Sequence, residues 1–539
     1  MKANALAVAT KPRTSVPVKA KAPEALATKA KKAPPEKPTL ASLTKALTEK
    51  QQETLKKLAV EISACDKDAS SATKSNYEAF AKKARACSKL QEMLGDGNYP
   101  AYMAIKFKYQ KSHASRWALA GEVLAVASPA GDDKFLSSEA HVRPLTGLKE
   151  NDLKAVLARL KQWQTWSPTL ALTSAWCEAA VQLQKANPLP DTEPDPKAEA
   201  VEKVLKLFRG VKASLPASVS KKVADDLTKF EMAVREIGRH ATTGISWTEA
   251  TWNPLHGCAY ASQGCKFCYA AKQMATRLKH RYPGLAEERV VKEEKLYFFT
   301  NKILLDPKDL AEPLADRTPK RYFVNSMSDL FHEGVREDFI NAVFDVMERA
   351  WWHQYQILTK RPERMATYSQ RRYADREPPP HIWLGATIEN QEEFDKRIKH
   401  LAATKTAVPW LSCEPLLGLI NLGDKKQVEW VVVGGESGST RKMEKEWATS
   451  LRDQCEKLGV NFFFKQWGDY DENGIKIKRG KKKSRELPLL DKAVHGDYPM
   501  EINLDLLKRA GEAKEPDAIW KLLRGCLQVT IPKPKTTKR

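Results

Sequence analysis

No stretch of this 539-residue sequence approaches the eighteen or so consecutive apolar residues of a membrane-spanning helix, and its first residues lack the continuous apolar core of a secretion signal. Cysteine is scarce, nine in the whole chain, and six of the nine are scattered without pattern. That excludes a disulfide-stapled secreted scaffold and leads us to expect a cytoplasmic protein with reduced thiols and no membrane contact. Acidic residues are also in deficit, 67 against 90 lysines and arginines, for a formal charge of +23. A surplus of that size favours a polyanionic partner, most simply nucleic acid. The length has room for two to four domains and a sizeable core.

The chain divides by composition. Residues 1–38 carry nine basic residues against two acidic ones among Ala and Pro, too little apolar surface to offset ordering, so the segment is expected to be a disordered basic tail. Residues 39–185 have helical spacing, as in Leu55, Leu58, Ala59 and Ile62. Within them the sequence predicts a short helix through Tyr102 and Phe107, a turn near Lys111, a cap at Ser112 and a second helix carrying Trp117, Leu119 and Val123 inward. That outline is helix-turn-helix, with His113, Ser115 and Arg116 on the leading turn where DNA would be met. A plain helical bundle has the same outline. The following VASPAGDDKFLSSEAHVRPLTGL resembles a segment found after such helices in phage and plasmid partition-type or methylase-associated DNA-binding proteins. Cys65, Cys87 and Cys177 read as small core residues, and 186–240 as a proline-rich linker followed by a helical connector.

From 241 to 470 short apolar runs alternate with helical stretches, the order of parallel strands with crossover helices. The runs are 322–325, 355–358, 382–386, 410–412, 430–433 and 461–464, with a first strand near Ile245. The expected fold class is α/β, a partial or full (β/α) barrel behind an all-α region. In a barrel, chemistry gathers at the carboxyl ends of the strands. Polar residues follow the runs there: Ser326 and Asp329, Lys360, Glu414, Gly434-Gly435-Glu436 and Lys465. Lys360, Glu414 and Lys465 are candidate catalytic residues, the lysines able to meet a phosphate or carboxylate. Equally, Lys360 could pair with Glu389 or Glu414 as a structural ion pair.

Cys258, Cys265 and Cys268 fall within eleven residues, a spacing that suits a metal. With His256 they would make a four-ligand structural zinc site. Without it they would ligate three irons of a four-iron, four-sulfur cluster and leave one iron open to an exchangeable molecule. Trp247 and Trp252 flank the cluster motif, where aromatic packing is the simpler role. Beyond 470 come a basic insertion and a helix near 515–527, together spanning 471–527, and a second disordered tail, 528–539.

The ending Cys265-Lys266-Phe267-Cys268 resembles the cluster motif of radical S-adenosylmethionine enzymes, whose last cysteines are separated by any residue and an aromatic; the first interval has six intervening residues instead of their usual three. The run with WTEATWNPLHGC, GCKFCYA, VNSMSDLFHEGV, ILTKRPERM, LGATIENQ, LSCEPLLG, VVVGGESG and FFFKQWG is similar to a family of phage-encoded, radical-SAM-like proteins of unknown function. The resemblance covers a little under half the chain. It implies a four-iron cluster on the three cysteines and S-adenosylmethionine at the open iron, with Phe267, Tyr269, Ser326, Asp329 and the Gly434-Gly435-Glu436 turn as cofactor-binding candidates. Such enzymes use a similar Gly-Gly-Glu stretch for the methionine ammonium, after an early strand; here it comes late. The reading implied is an iron-sulfur enzyme acting on a nucleotide or nucleic acid and fed by a reductant. The competing readings are a non-catalytic nucleic-acid-binding phage protein with structural zinc, and a barrel that keeps the cluster for structure or electron transfer alone.

Overall fold

The computed structural model describes residues 38–70, 77–128, 135–185, 245–438, 441–476 and 515–529, shorter stretches at 189–190, 489–491, 495–500 and 504–513, and isolated positions between 203 and 243. The expectations for the two tails, for most of 186–240 and for the basic run 477–488 fall outside these residues. Among the described residues no helix is long and apolar enough to cross a membrane.

The first part is all helical. Thr39 opens it with a capping box to Ser42. Helices Glu49–Ser70, Tyr77–Phe107 and Lys111–Ala127 then pack on one another around Ile62, Cys87, Leu90 and Met103. Gly95, at φ 73°, interrupts the long helix, and Lys108, at φ 63°, ends it. Gly121 lets the third helix lie against the second, since a Cβ there would come 2.5 Å from that of Ser88. The turn differs from expectation. Gln110, without a side-chain cap, precedes the helix, and Ser112 lies inside it. Ala114, Ala118 and Val123 point inward, while Trp117 and Leu119 are half-buried.

The next helices, Glu150–Trp166 and Ser174–Gln184, bury Trp163, Trp166 and Trp176. They pack directly against the second part. One continuous apolar cluster runs from Ala81 through these tryptophans to Phe339, Ile357 and Leu523. Trp166 Nε1 donates to Asp338 at 2.9 Å and the Ser167 hydroxyl to the Leu305 carbonyl at 2.5 Å.

Among its described residues the second part has eleven strands: β1 (Ala250–Trp252), β2 (Leu255–His256), β3 (Ala286–Val291), β4 (Glu294–Phe299), β5 (Leu304–Leu305), β6 (Arg321–Val324), β7 (Gln354–Thr359), β8 (Ile382–Thr387), β9 (Val408–Cys413), β10 (Trp430–Gly434) and β11 (Asn461–Gln466). Seven form one sheet in the order β1-β6-β7-β8-β9-β10-β11, all parallel. Each strand is laid beside its predecessor without reversal. Right-handed crossovers then place every connecting helix on the same face, and the sheet curls into a half-barrel. Alternation sorts the side chains: Tyr322, Ile357, Leu411 and Phe464 face the helices, whereas Phe323, Trp383, Trp410, Trp430 and Phe463 fill the interior. Burial on both faces explains the unbroken apolar runs.

The amino-terminal end of the half-barrel is closed by aromatics. Trp247 stands 5.5 Å from Trp410, and Trp410 5.2 Å from Trp430. Gly385 makes room, as a Cβ there would lie 2.5 Å from the Trp410 indole. Residues 495–500 cross this floor. Gly496 bridges Phe463, Trp430 Nε1 donates to the Asp497 carbonyl at 2.8 Å, and Gln354 donates to that of Met500 at 3.3 Å. With the floor filled, the open end is the one where the strands finish.

Candidate functional site

The cysteine loop leaves β2 over the ends of β6 to β8. Gly257 starts it at φ 96°, pressed so close to the Lys302 carbonyl that a side chain has no room. The loop's first turn is fixed to the end of β6: Gly257 bridges Ser328, whose hydroxyl donates to the Leu255 carbonyl at 2.9 Å and accepts from Asn325 at 2.7 Å. Cys265 closes a 3-10 turn, Gln263–Cys265. Cys268 precedes the helix Tyr269–Ala275.

All three cysteines are half-buried residues, and their thiols act on one another. Burial pushes Cys258 up to about 12, with Asp329, Cys268 and Cys265 raising it further against Arg361. Desolvation raises Cys268 as well, opposed by the N–H groups of Ala271 and Ala270, and Cys265 adds to the rise. Among the described residues the only three His, Cys, Asp or Glu side chains with ligand atoms all within 4.8 Å of one another are His256, Asp306 and Asp309. The cysteines therefore do not converge as ligands of one ion do, at about 3.8 Å between sulfurs for zinc. Nor does His256 join them, since the ligand atoms grouped with its ring are those of Asp306 and Asp309. The four-ligand arrangement with His256 is not built.

Around the loop stand paired charges. Glu389, 1% exposed, accepts from Lys360 at 2.6 Å, Arg397 at 2.8 Å and Ser262 at 2.5 Å. Burial raises its carboxyl, but Lys360 and Arg397 outweigh that and hold it below the usual range. Because Ser262 belongs to the cysteine loop, Glu389 ties the loop to β8. Lys465 meets Glu414 at 2.8 Å, and Ser412 donates to the same carboxylate at 3.2 Å. Of the two alternatives for Lys360, the ion pair with Glu389 is the one formed.

Gly434 brings β10 against Glu414, 2.5 Å from where a Cβ would stand, and Gly435 packs on the Trp467 backbone. Glu436, 6% exposed, does not face an open space. Arg441 grips both its oxygens, Nε at 2.7 Å from Oε2 and Nη2 on Oε1, and reaches the Gln263 carbonyl at 3.2 Å. The same guanidinium lies 5.3 Å from the Phe267 ring. Arg441 thus joins the Gly-Gly-Glu turn to the cysteine loop.

Other expected residues are bound up in supporting contacts. Asp329 accepts from Thr359 at 2.7 Å, Arg361 at 3.0 Å and the Phe331 amide at 2.9 Å. Its carboxylate reaches Cys258 through charge alone. Ser326 donates to Asn253 at 3.1 Å, and its carbonyl accepts the Tyr269 hydroxyl at 2.5 Å. Trp247 and Trp252 are buried in packing roles. His113 stacks on Tyr109 at 4.5 Å and accepts from Trp117 at 2.9 Å. Ser115 donates back to the Lys111 carbonyl, and Arg116 lies 3.8 Å from Glu139. His113 and Ser115 are half-buried and Arg116 is exposed. Sequence reasoning missed Arg441, Arg397, Ser262 and Asp306: Ser262 takes its meaning from Glu389, 127 residues on, and Arg441 from Gln263, 178 residues back, whereas Arg397 meets Glu389 only eight residues away.

Residues 242–499 match the model of a family described as "Protein of unknown function (DUF5131)". No curated protein and no solved structure matches the chain. The matched span begins just before the first strand and ends within the segment that crosses the barrel floor, leaving out the amino-terminal helices.

Proposed function

We propose that this chain is a radical S-adenosylmethionine-type iron-sulfur enzyme, of the phage or mobile-element kind the sequence resembles, acting on a nucleotide or nucleic-acid substrate. The observation that carries the reading is the placement of Cys258, Cys265 and Cys268 on one loop over the open end of a singly wound parallel half-barrel, beside Lys360, Arg361 and Arg441. The three thiols share one short loop and feel one another's charge, as three ligands of one cluster would. The three cysteines would hold a four-iron cluster and leave one iron for S-adenosylmethionine. When bound, the pair supplies one-electron chemistry able to take hydrogen from an unactivated carbon.

The chain's own residues have separable tasks in this reading. The aromatic floor excludes water from below. Arg441 holds Glu436 and the cysteine loop in fixed relation, so that the Gly434-Gly435-Glu436 turn acts as a brace for the loop that would carry the cluster. Lys360 and Lys465 stand at strand ends as cations for a substrate phosphate, each neutralised until then by Glu389 or Glu414. The surplus of positive charge draws a polyanion toward that end. A reductant is the required partner, and the cytoplasm is the compartment that keeps such thiols reduced.

Purification without oxygen, with iron, sulfide and zinc measured beside the visible spectrum, tests the reading. About four irons and a brown colour, both lost in Cys265→Ala, are expected. One zinc per chain and no colour would sink it.

A further inference from the structure

Two residues before Cys258 the chain passes through His256, whose ring is 5% exposed and whose two nitrogens both lack a hydrogen-bond partner. A single orphaned buried polar atom costs about 1–3 kcal/mol. The ring is held in place by Tyr282, its centroid 4.1 Å away. Asp306, also 5% exposed, leaves Oδ1 unpartnered while Oδ2 takes Lys308. Asp309, partly open to solvent, completes a set whose ligand atoms all lie within 4.8 Å of one another.

The backbone builds this set on purpose-fixed elements. β2 and β5 pair antiparallel, His256 opposite Leu304, and the Asp306 amide donates to the Pro254 carbonyl at 3.0 Å. The 3-10 turn Pro307–Ala311 brings Asp309 round, and Trp252 Nε1 pins that residue's carbonyl at 2.7 Å. We propose that His256, Asp306 and Asp309 form a second metal site, separate from the cysteines, for a borderline divalent ion such as zinc. Bonds of about 2.1 Å to one ion put ligand atoms about 3 to 4 Å apart, a small closure from the spacing present. One imidazole and two carboxylates suit first-row ions from manganese to zinc rather than a thiophilic ion or calcium. The ion satisfies the orphaned ring nitrogen and carboxylate oxygen together, enters past Asp309, and ties the start of the cysteine loop to the turn after β5. Lys308 competes with it for Asp306.

The test uses the full chain with Cys258, Cys265 and Cys268 all changed to Ser, titrated with cobalt(II) by calorimetry and visible absorption. One equivalent bound, with no thiolate-to-cobalt charge-transfer band, is expected. His256→Gln and Asp309→Asn should each weaken binding at least tenfold, and Lys308→Met should tighten it. Asp309→Asn changes a partly exposed side chain, so its melting temperature without metal should match the parent and its affinity should still fall. Absence of stoichiometric cobalt, or an affinity that Asp309→Asn leaves unchanged, overturns the site. Either result is independent of whether the cysteines hold a cluster.

Discussion

Arg441 closes a two-pronged ion pair on Glu436 and, with the same guanidinium, hydrogen-bonds the Gln263 carbonyl of the cysteine loop. The pair is half inside, Glu436 almost wholly buried and Arg441 partly exposed. Arg441→Met therefore leaves a buried carboxylate alone, at a cost of about 2–3 kcal/mol in urea unfolding, less than for a fully buried pair because Arg441 is partly exposed. Arg441→Lys recovers less than half, because one ammonium cannot serve both oxygens and the carbonyl. If stability were unchanged in Arg441→Met, the clamp would not be holding the loop.

Glu389 binds two cations and the loop hydroxyl of Ser262. Glu389→Gln keeps the shape but removes the charge facing Lys360 and Arg397. It should destabilise by about 3 kcal/mol and lower the iron retained per chain after anaerobic purification, since one amide oxygen must then serve the Ser262 hydroxyl and the cations that two carboxylate oxygens had shared. Ser262→Ala removes that anchor alone. It should cost about 1 kcal/mol while lowering iron retention in the same direction.

Gly434 and Gly435 answer differently to a methyl group. In Gly434→Ala the new carbon meets the tip of the Glu414 side chain, which can turn away at the expense of Lys465. In Gly435→Ala it meets the Trp467 backbone, which cannot. Thermal melts should show Gly435→Ala the worse of the two, by about 1–2 kcal/mol within the range known for overpacked sites. Equal losses would contradict the assignment.

Acid should destabilise the fold through buried imidazoles. His381 is fully enclosed, hydrogen-bonds the Met347 carbonyl at 3.0 Å, and burial lowers it from 6.5 to about 4; His353 is lowered for the same first reason. Between those limits the unfolded chain binds protons that the folded chain refuses, so stability is full above pH 6.5 and is lost as the pH falls toward 4. His381 alone contributes up to about 3 kcal/mol to that loss. Urea midpoints followed from pH 7.5 to 4.5 should fall, and His381→Gln, which keeps a donor for Met347 and does not titrate, should flatten the slope.

Much of the half-barrel was legible because strands covered on both faces cannot hide their apolar runs: the segments 355–358, 382–386 and 430–433 lie inside β7, β8 and β10. The polar residues closing those runs stand at the carboxyl ends of the strands. What each one holds was not legible, because the partner of Glu436 lies across a loop and that of Ser262 is 127 residues away. The first strand was placed near Ile245 and begins at Ala250, after Trp247 has dropped into the floor. The helix-turn-helix outline failed in detail at Ser112, where backbone geometry at Lys108 ends one helix and Gln110 begins the next without help from a hydroxyl. His113 is half-buried and makes contacts with Tyr109 and Trp117 that its spacing in the sequence does not announce.

Ser167 hydrogen-bonds the carbonyl of Leu305, the residue before Asp306, while Trp166 covers Phe339 at 5.2 Å. A barrel excised at residue 242 would therefore bare an oily face where those helices had lain, and would clump rather than circulate freely. The amino-terminal helices act as a fitted lid for the back of the barrel, and a useful minimal version of this protein must begin upstream of Glu150.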